Sequence, residues 1–223
     1  MATPLSASSP QLTVAVAEDH PVVLDGIAAL LEREGGFEVI GRATNAGELR
    51  QLIAKNPPSV LVMDLMLGQE DGLAILKELA ANVPLMRIVV FSLQSEDVYA
   101  ERCLRAGARG YVMKTAAVPA LFQAIREVAA DRLAVSPRVA AAMVASVSGR
   151  ARQPAGTSET TLTDRELQVF RLTGLALPTR EIAEKLGVSV KTIEAHRENI
   201  KNKVERGHAR RAGCPRCPVG TGR

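Results

Sequence analysis

Five polar positions in the first half of the chain each stand just past a short apolar run. Glu18 and Asp19 follow LTVAVA, Asp64 follows VLVM, Ser92 follows RIVVF, and Lys114 follows GYVM. Short apolar runs bounded by turn or helix-start signals read as buried parallel strands. Ligands of an open parallel sheet sit at the carboxyl ends of its strands. Three carboxylates, a hydroxyl and an ammonium are therefore expected to converge on one sheet edge. Acids held together repel one another, which favours a divalent cation between them, and Mg2+ takes one or two carboxylates together with phosphate oxygens and waters. Lys114 supplies a point charge for a phosphoryl oxygen and Ser92 a hydroxyl donor. Asp64 is the candidate nucleophile, because it ends the central run and opens the Gly-containing segment LGQEDG. Taken singly, an Asp or Lys after a strand is a cap or a solvated loop residue; it is the ordered set that points to phosphoryl chemistry.

The elements that must position these residues alternate along the chain. Strand-like runs occupy 12–17, 38–42, 59–63, 87–91 and 109–113, and helical patterns lie near 22–34, 46–55, 72–81, 96–106 and 117–131. Five βα repeats with short connections predict an α/β fold, a doubly wound, five-stranded parallel sheet covered by helices on both faces. A further short helix is expected over 136–147, with Ser136 as its N-cap and Pro137 at its first position. Residues 148–161 (SGRARQPAGTSETT) read as a flexible linker.

Composition bounds the class. The chain has 223 residues and is 47% hydrophobic, with no apolar run near membrane-spanning length, which points to a soluble protein. The N-terminal MATPLSASSP has neither a basic nor an apolar signal region, and reads as a disordered lead-in over 1–11. Three cysteines, Cys103, Cys214 and Cys217, make no disulfide framework and fit a reducing cytoplasm. Charge is divided unevenly. Residues 1–147 carry 13 basic against 16 acidic side chains, net −3, and residues 148–223 carry 15 against 8, net +7. A basic second half suggests a polyanionic partner.

From Leu162 to about Val204 the pattern is helical, with three starts: Thr163 at capping-box spacing from Glu166, Thr179 before REIAEKL, and Ser189 before VKTIEAHRENIKNKV. Gly187 ends the middle helix, and two helices joined by a short Gly-containing turn match the helix-turn-helix pattern. On the last helix Ile193, Ile200 and Val204 can face inward, leaving Lys191, Thr192, Glu194, His196, Arg197 and Lys201 available to DNA. The like-charged spacings Glu194–Glu198 and Arg197–Lys201 are repulsive within a helix, so helix stability does not account for these charges.

The stretches VAVAEDHPVVLDGI, VLVMDLMLGQEDGL, VVFSLQSED and AGARGYVMK resemble the receiver domain of two-component response regulators, over 12–132. The fold implied is the flavodoxin-like receiver. The resemblance implies that Asp64 accepts phosphate from a histidine of a sensor kinase. It also implies that Glu18, Asp19, Asp64 and the Met66 carbonyl organise Mg2+, and that Ser92 and Lys114 bind the phosphoryl oxygens. Tyr111 corresponds to the aromatic residue whose rotation is coupled to Ser92; its plain alternative is an ordinary packed aromatic. Residues 162–204 are similar to the LuxR-type (NarL/FixJ) helix-turn-helix domain. That likeness implies phosphate or groove contacts to double-stranded DNA from Lys191, Thr192, Arg197 and Lys201. Glu194 could accept from a cytosine amino group, with Glu198 a weaker candidate. A cytoplasmic, phosphorylation-dependent transcription regulator that forms a homodimer on phosphorylation is the implied function, and not an enzyme. A metal-dependent phosphatase on a similar sheet would need a second acid to protonate the leaving group, and Gln94 cannot serve.

Three departures from the family pattern set further expectations. Gly68 stands where the family usually has Pro, so the loop after Asp64 is expected to be more mobile. Leu93 is bulkier than usual beside Ser92 and, with Met66, is expected to shield an acyl phosphate and slow its hydrolysis. The segment 205–223, ERGHARRAGCPRCPVGTGR, lacks the apolar period of the family's fourth helix and is expected to be disordered. Loss of that helix would uncover Leu167, Phe170, Ile182 and Leu186. The competing function is then a receiver acting as an interaction module or phosphate sink, its DNA-binding half compromised. Cys214 and Cys217, with His208 and His196, also allow a zinc-site reading.

Overall fold

The structure, a computed structural model, describes residues 11–68, 70–147 and 162–212, with 146–147 and 206–212 described by backbone alone. Residues 1–10 of the expected disordered lead-in, the linker 148–161 and the CxxC of Cys214 and Cys217 lie outside the described residues. The chain divides into two compact units, Met1–Ala151 and Arg152–Arg223.

In the first unit β1 (Leu12–Ala17), α1 (Pro21–Glu34), β2 (Phe37–Ala43), α2 (Ala46–Lys55), β3 (Val60–Met63) and α3 (Gly72–Asn82) come first. They are followed by β4 (Arg87–Ser92), α4 (Glu96–Arg105), β5 (Gly110–Met113), α5 (Val118–Ala129) and α6 (Pro137–Val147). All the predicted elements of this half are present, their ends moved by a residue or two. The five strands pair in parallel in the order β2-β1-β3-β4-β5, so the chain reverses its direction of winding between β1 and β3. That reversal opens a crevice at the carboxyl ends of these two strands.

Strand residues alternate between faces. Val14, Val16, Val60, Val62, Val89 and Val112 form one core with Leu24, Ile27 and Leu31 of α1 and Leu121, Ile125 and Val128 of α5. The opposite parity, Ala15, Leu61, Met63, Ile88 and Val90, is equally buried, as are Leu49 and Ile53 of α2 and Ile75, Leu76 and Leu79 of α3. Burial on both faces explains why the strand sequences are continuously apolar instead of alternating. Helix starts follow local chemistry. Asn45 accepts from the Glu48 amide at 2.9 Å, Asp71 from the Leu73 amide at 3.3 Å, and Ser136 from the Val139 amide at 3.2 Å, the last as the sequence predicts.

In the second unit, α7 (Asp164–Gly174), α8 (Thr179–Lys185) and α9 (Val190–Ala212) surround a small core of Leu162, Leu167, Val169, Ile182, Ile193 and Ile200. Thr163 and Glu166 form the predicted capping box. Thr179 is the first residue of α8, not its cap; Pro178 holds the cap position without a side-chain bond.

Two expectations about the C-terminal part are corrected. The last helix does not end near Val204 but runs to Ala212, so 205–212 is helical backbone and not disordered. Glu, Ala and Arg are strong helix formers, and a single interior glycine, Gly207, costs only about 1 kcal/mol. The dense Gly and Pro composition begins only at Gly213. Nor are the apolar residues of the three helices left bare: Leu167 and Ile182 are buried, and Phe170 and Leu186 are half-buried.

Candidate functional site

Strand register brings the five polar residues of the first unit together. Ala17 pairs with Met63, and the Asp64 amide donates to the Ala17 carbonyl at 2.9 Å, so Glu18 and Asp64 leave adjacent strands side by side. β4 extends to Ser92, which pairs with Met113, and the Lys114 amide donates to the Ser92 carbonyl at 2.8 Å. The convergence expected from the sequence is thus a consequence of parallel pairing.

The side chains close into one cluster around Asp64. Ser92 Oγ donates to Asp64 Oδ1 at 2.7 Å, and Lys114 Nζ donates to Asp64 Oδ2 at 2.6 Å. The same ammonium donates to Glu18 Oε2 at 2.5 Å. Glu18, Asp64 and Ser92 are buried to 4% exposure or less. Burial alone would lower the Lys114 ammonium, but its hydrogen bonds to Asp64 and Glu18 and their charge outweigh it and hold the group above the usual lysine value. Lys114 therefore stays charged and partly offsets the repulsion between the two buried acids.

Asp19 lies at the rim. Its Oδ2 accepts from the Gly68 amide at 3.4 Å, while Oδ1 is buried and has no hydrogen-bond donor. His20 Nδ1 lies 2.8 Å from that oxygen, outside hydrogen-bond alignment, and 3.1 Å from Glu18 Oε1. The hydrogen bond to Glu18 and then the charge of Asp19 raise the imidazole above its ordinary value. Glu18, Asp19 and His20 together offer ligand atoms within 4.8 Å of one another, a group that could hold a metal ion. A buried carboxylate oxygen without a donor, among hard oxygen donors, fits a divalent cation. His20 was not singled out in the sequence, although its place directly after two acids was the available signal.

Met66 is half-buried in the loop after Asp64, and Leu93 is 66% exposed. Gly68 has φ 68°, a left-handed conformation that proline, fixed near φ −65°, cannot adopt. The absence of Pro at this position therefore follows from the turn itself. Gly72 is required for a different reason: a Cβ there would stand 2.2 Å from the Leu65 carbonyl oxygen.

Tyr111 is buried, its hydroxyl donating to the Gln94 carbonyl at 2.8 Å, and the Gln94 amide donates to Ser92 Oγ at 3.4 Å. Burial pushes its phenol far up, so it is a neutral donor. A continuous chain of contacts thus runs from Asp64 through Ser92 and Gln94 to Tyr111.

In the second unit Ser189 caps α9, its Oγ accepting from the Thr192 amide at 3.1 Å. Gly187, with φ 62°, makes the turn from α8. Ile193 and Ile200 are buried, Val204 and His196 half-buried, and Lys191, Thr192, Glu194, Arg197 and Lys201 all exposed. Their spacing lays them along the outer side of the helix. Arg197 Nη1 also donates to Thr179 Oγ1 at 2.9 Å, tying α9 to the start of α8. Lys203, unremarked in the sequence, donates to the buried Glu166 at 2.6 Å and fastens α9 to α7.

Among the described residues no helix is long and apolar enough to cross a membrane. The family model "Response regulator receiver domain" matches residues 14–126, and "Bacterial regulatory proteins, luxR family" matches 160–212. The second match reaches the end of α9. The chain is 34% identical over 197 residues to the oxygen regulatory protein NreC of Staphylococcus aureus (strain bovine RF122 / ET3-1), spanning 86% of this chain and 91% of that one. NreC of Staphylococcus carnosus is 31% identical over the same shares. Among solved structures, RcsB of Salmonella enterica serovar Typhimurium, bound to promoter rprA with phosphomimetic BeF3-, is 25% identical with a TM-score of 0.68. It covers 87% of this chain and 93% of its own. A LuxR-family response regulator from Aurantimonas sp. SI85-9A1 is 31% identical with a TM-score of 0.57, over 62% of this chain and 99% of that one. A doubly wound sheet with an acid cluster at its switch point, followed by a three-helix unit with an exposed polar helix face, agrees with both family matches: the chain belongs to the two-component response regulators, with a receiver followed by a LuxR-type DNA-binding domain.

Proposed function

We propose that Asp64 is the phosphoryl acceptor, taking its phosphoryl group from a phosphohistidine of a sensor kinase. An Asp64 oxygen forms the new O–P bond as the N–P bond breaks and the imidazole leaves. The observation that carries this reading is the double hold on the Asp64 carboxylate, by Ser92 at 2.7 Å and Lys114 at 2.6 Å. Those two donors already sit where oxygens of a transferred phosphoryl group need charge and hydrogen bonds. Glu18, Asp19, Asp64 and the Met66 carbonyl would hold Mg2+, which supplies neutralisation of the negative charge that gathers during transfer. Ser92, drawn from Asp64 to a phosphoryl oxygen, would pull on the loop through Gln94 and so release Tyr111 from the Gln94 carbonyl. The face formed by α4, β5 and α5 then changes, which frees or dimerises the output unit.

For the output unit, Lys191, Thr192, Arg197 and Lys201 are the proposed DNA contacts, with Glu194 accepting from a base edge. The exposed side of α9 supports this, as do its anchors through Lys203 and Thr179. We take residues 12–132 as the receiver and 133–161 as the connection, and the setting as the cytoplasm. The competing reading of a compromised DNA-binding half rested on the altered C-terminus, through stranded apolar residues and a lost dimer contact; the packed core of α7, α8 and α9 gives the first of these no support. The test is binding to random-sequence double-stranded DNA across a salt series, with and without a small phosphodonor. Tighter binding after phosphorylation, falling steeply with salt, is expected. Affinity indifferent to both phosphodonor and salt would contradict the proposal.

A further inference from the structure

The loop from Asp64 to Asp71 carries the Met66 carbonyl and the Gly68 amide that meets Asp19. Gly68 lacks the stiffness of a proline, so something else must hold this loop in place. Its inner side is anchored by the buried Leu65 and Leu67, and Asp71 caps α3. Its outer side ends at Glu70, which is gripped by Arg50 from α2. Arg50 Nη1 donates to Glu70 Oε1 at 3.1 Å and Nη2 to Glu70 Oε2 at 2.9 Å. The same guanidinium donates from Nε to Glu78 Oε1 at 2.9 Å and from Nη2 to Glu78 Oε2 at 2.8 Å, on α3. One planar cation thus binds two carboxylates, each in a two-pronged grip. Glu70 is on the loop and Glu78 on the helix that follows it.

An isolated surface ion pair contributes little, and these groups are 37–51% exposed. The arrangement here differs in geometry. Forked pairing fixes direction as well as distance, and a guanidinium can bridge two carboxylates where an ammonium offers a single point. Without Arg50, Glu70 and Glu78 would also be left as two like charges without the cation they share.

We propose that Arg50 is a positioning residue for the cation-binding side of the Asp64 site, holding Glu70 to α3 so that the Gly68 amide stays on Asp19 and the Met66 carbonyl of the same loop is held in place. This rests on the reading of Asp64 as acceptor. On this proposal the loop that Gly68 leaves without a proline is steadied from outside, by α2.

The test uses the full chain as wild type, Arg50→Met, Arg50→Lys and Glu70→Gln. Mg2+ affinity is measured by calorimetry, and hydrogen exchange of residues 65–71 is measured without metal. Arg50→Met and Arg50→Lys are each expected to weaken Mg2+ binding by about fivefold and to speed exchange in the loop. Glu70→Gln, an exposed change that leaves Arg50 on Glu78, should reproduce both effects, and it decides the matter if the Arg50 variants do not fold. Phosphorylation by a small phosphodonor should slow at limiting Mg2+ and recover at saturation. Mg2+ affinity and loop exchange like wild type in these variants, with or without a lower melting temperature, would overturn the proposal. Failure of the wild type itself to bind Mg2+ would overturn the reading of the site, and the role of Arg50 with it.

Discussion

Replacing Asp19 by Asn should make the metal-free protein more stable and the Mg2+-loaded protein less stable than wild type. Asp19 Oδ1 is buried without a hydrogen-bond donor, and Lys114 spends its contacts on Glu18 and Asp64. At the 4.8 Å limit that separates ligand atoms of Glu18, Asp19 and His20, two unit charges repel by about 3 kcal/mol at an effective dielectric near 20. His20 beside Asp19 and the open rim offset much of this, leaving a net gain of about 1 kcal/mol for the neutral amide. For a domain of this size that raises the melting temperature by about 3 °C. Mg2+ at a hundred times its dissociation constant stabilises the wild type by about 2.7 kcal/mol, a gain Asp19→Asn should largely lose. Thermal melts of both proteins in chelator and in Mg2+ should therefore cross. A variant less stable than wild type in chelator, or one that keeps the whole Mg2+ shift, would refute the reasoning that Asp19 is a strained ligand held ready for a cation.

Gly72→Ala should destabilise the first unit by about 2 kcal/mol or more, because its Cβ meets backbone atoms of Leu65 at 2.2–2.7 Å and the loop after Asp64 must shift. Chemical denaturation checks this, and a loss under 0.5 kcal/mol would show that the loop yields freely. Burial by itself would raise the Glu166 carboxyl, but the hydrogen bonds from Lys203 and from Thr163 outweigh it and hold the group below its ordinary 4.5. A lowered carboxyl contributes stability that is present above that value and lost as pH falls through the folded one. The stability gap between wild type and Lys203→Met should thus be about 1–2 kcal/mol at neutral pH and close in acid. A gap constant down to pH 3 would remove Lys203 as the cause.

The convergence of Glu18, Asp64, Ser92 and Lys114 on one sheet edge was legible because each lies just past a short apolar run, and parallel pairing converts that local pattern into a shared edge. The capping box of Thr163 and Glu166 and the start at Ser136 were legible for the same reason: their signals are local. What escaped depends on contacts far apart in sequence. Arg50 meets Glu70 and Glu78 only because the fold brings α3 within reach of the long side chain on α2, and Lys203 meets Glu166 across 37 positions. No periodicity marks either pair. The end of α9 is hard to read from sequence because Gly207 lies close to the Gly and Pro residues that follow Ala212, although a lone glycine is tolerated within a run of Glu, Ala and Arg. The left-handed φ of Gly68 was not legible either, because a glycine's backbone conformation leaves no mark in the sequence.

The most direct test of the account is the intact mass of wild type and Asp64→Ala after incubation with a small phosphodonor and Mg2+. The geometry of Ser92, Lys114 and Asp64 predicts one added phosphoryl group on wild type, lost on adding chelator before the phosphodonor, and none on Asp64→Ala. An equal mass gain in both proteins would contradict the assignment of Asp64 as the acceptor.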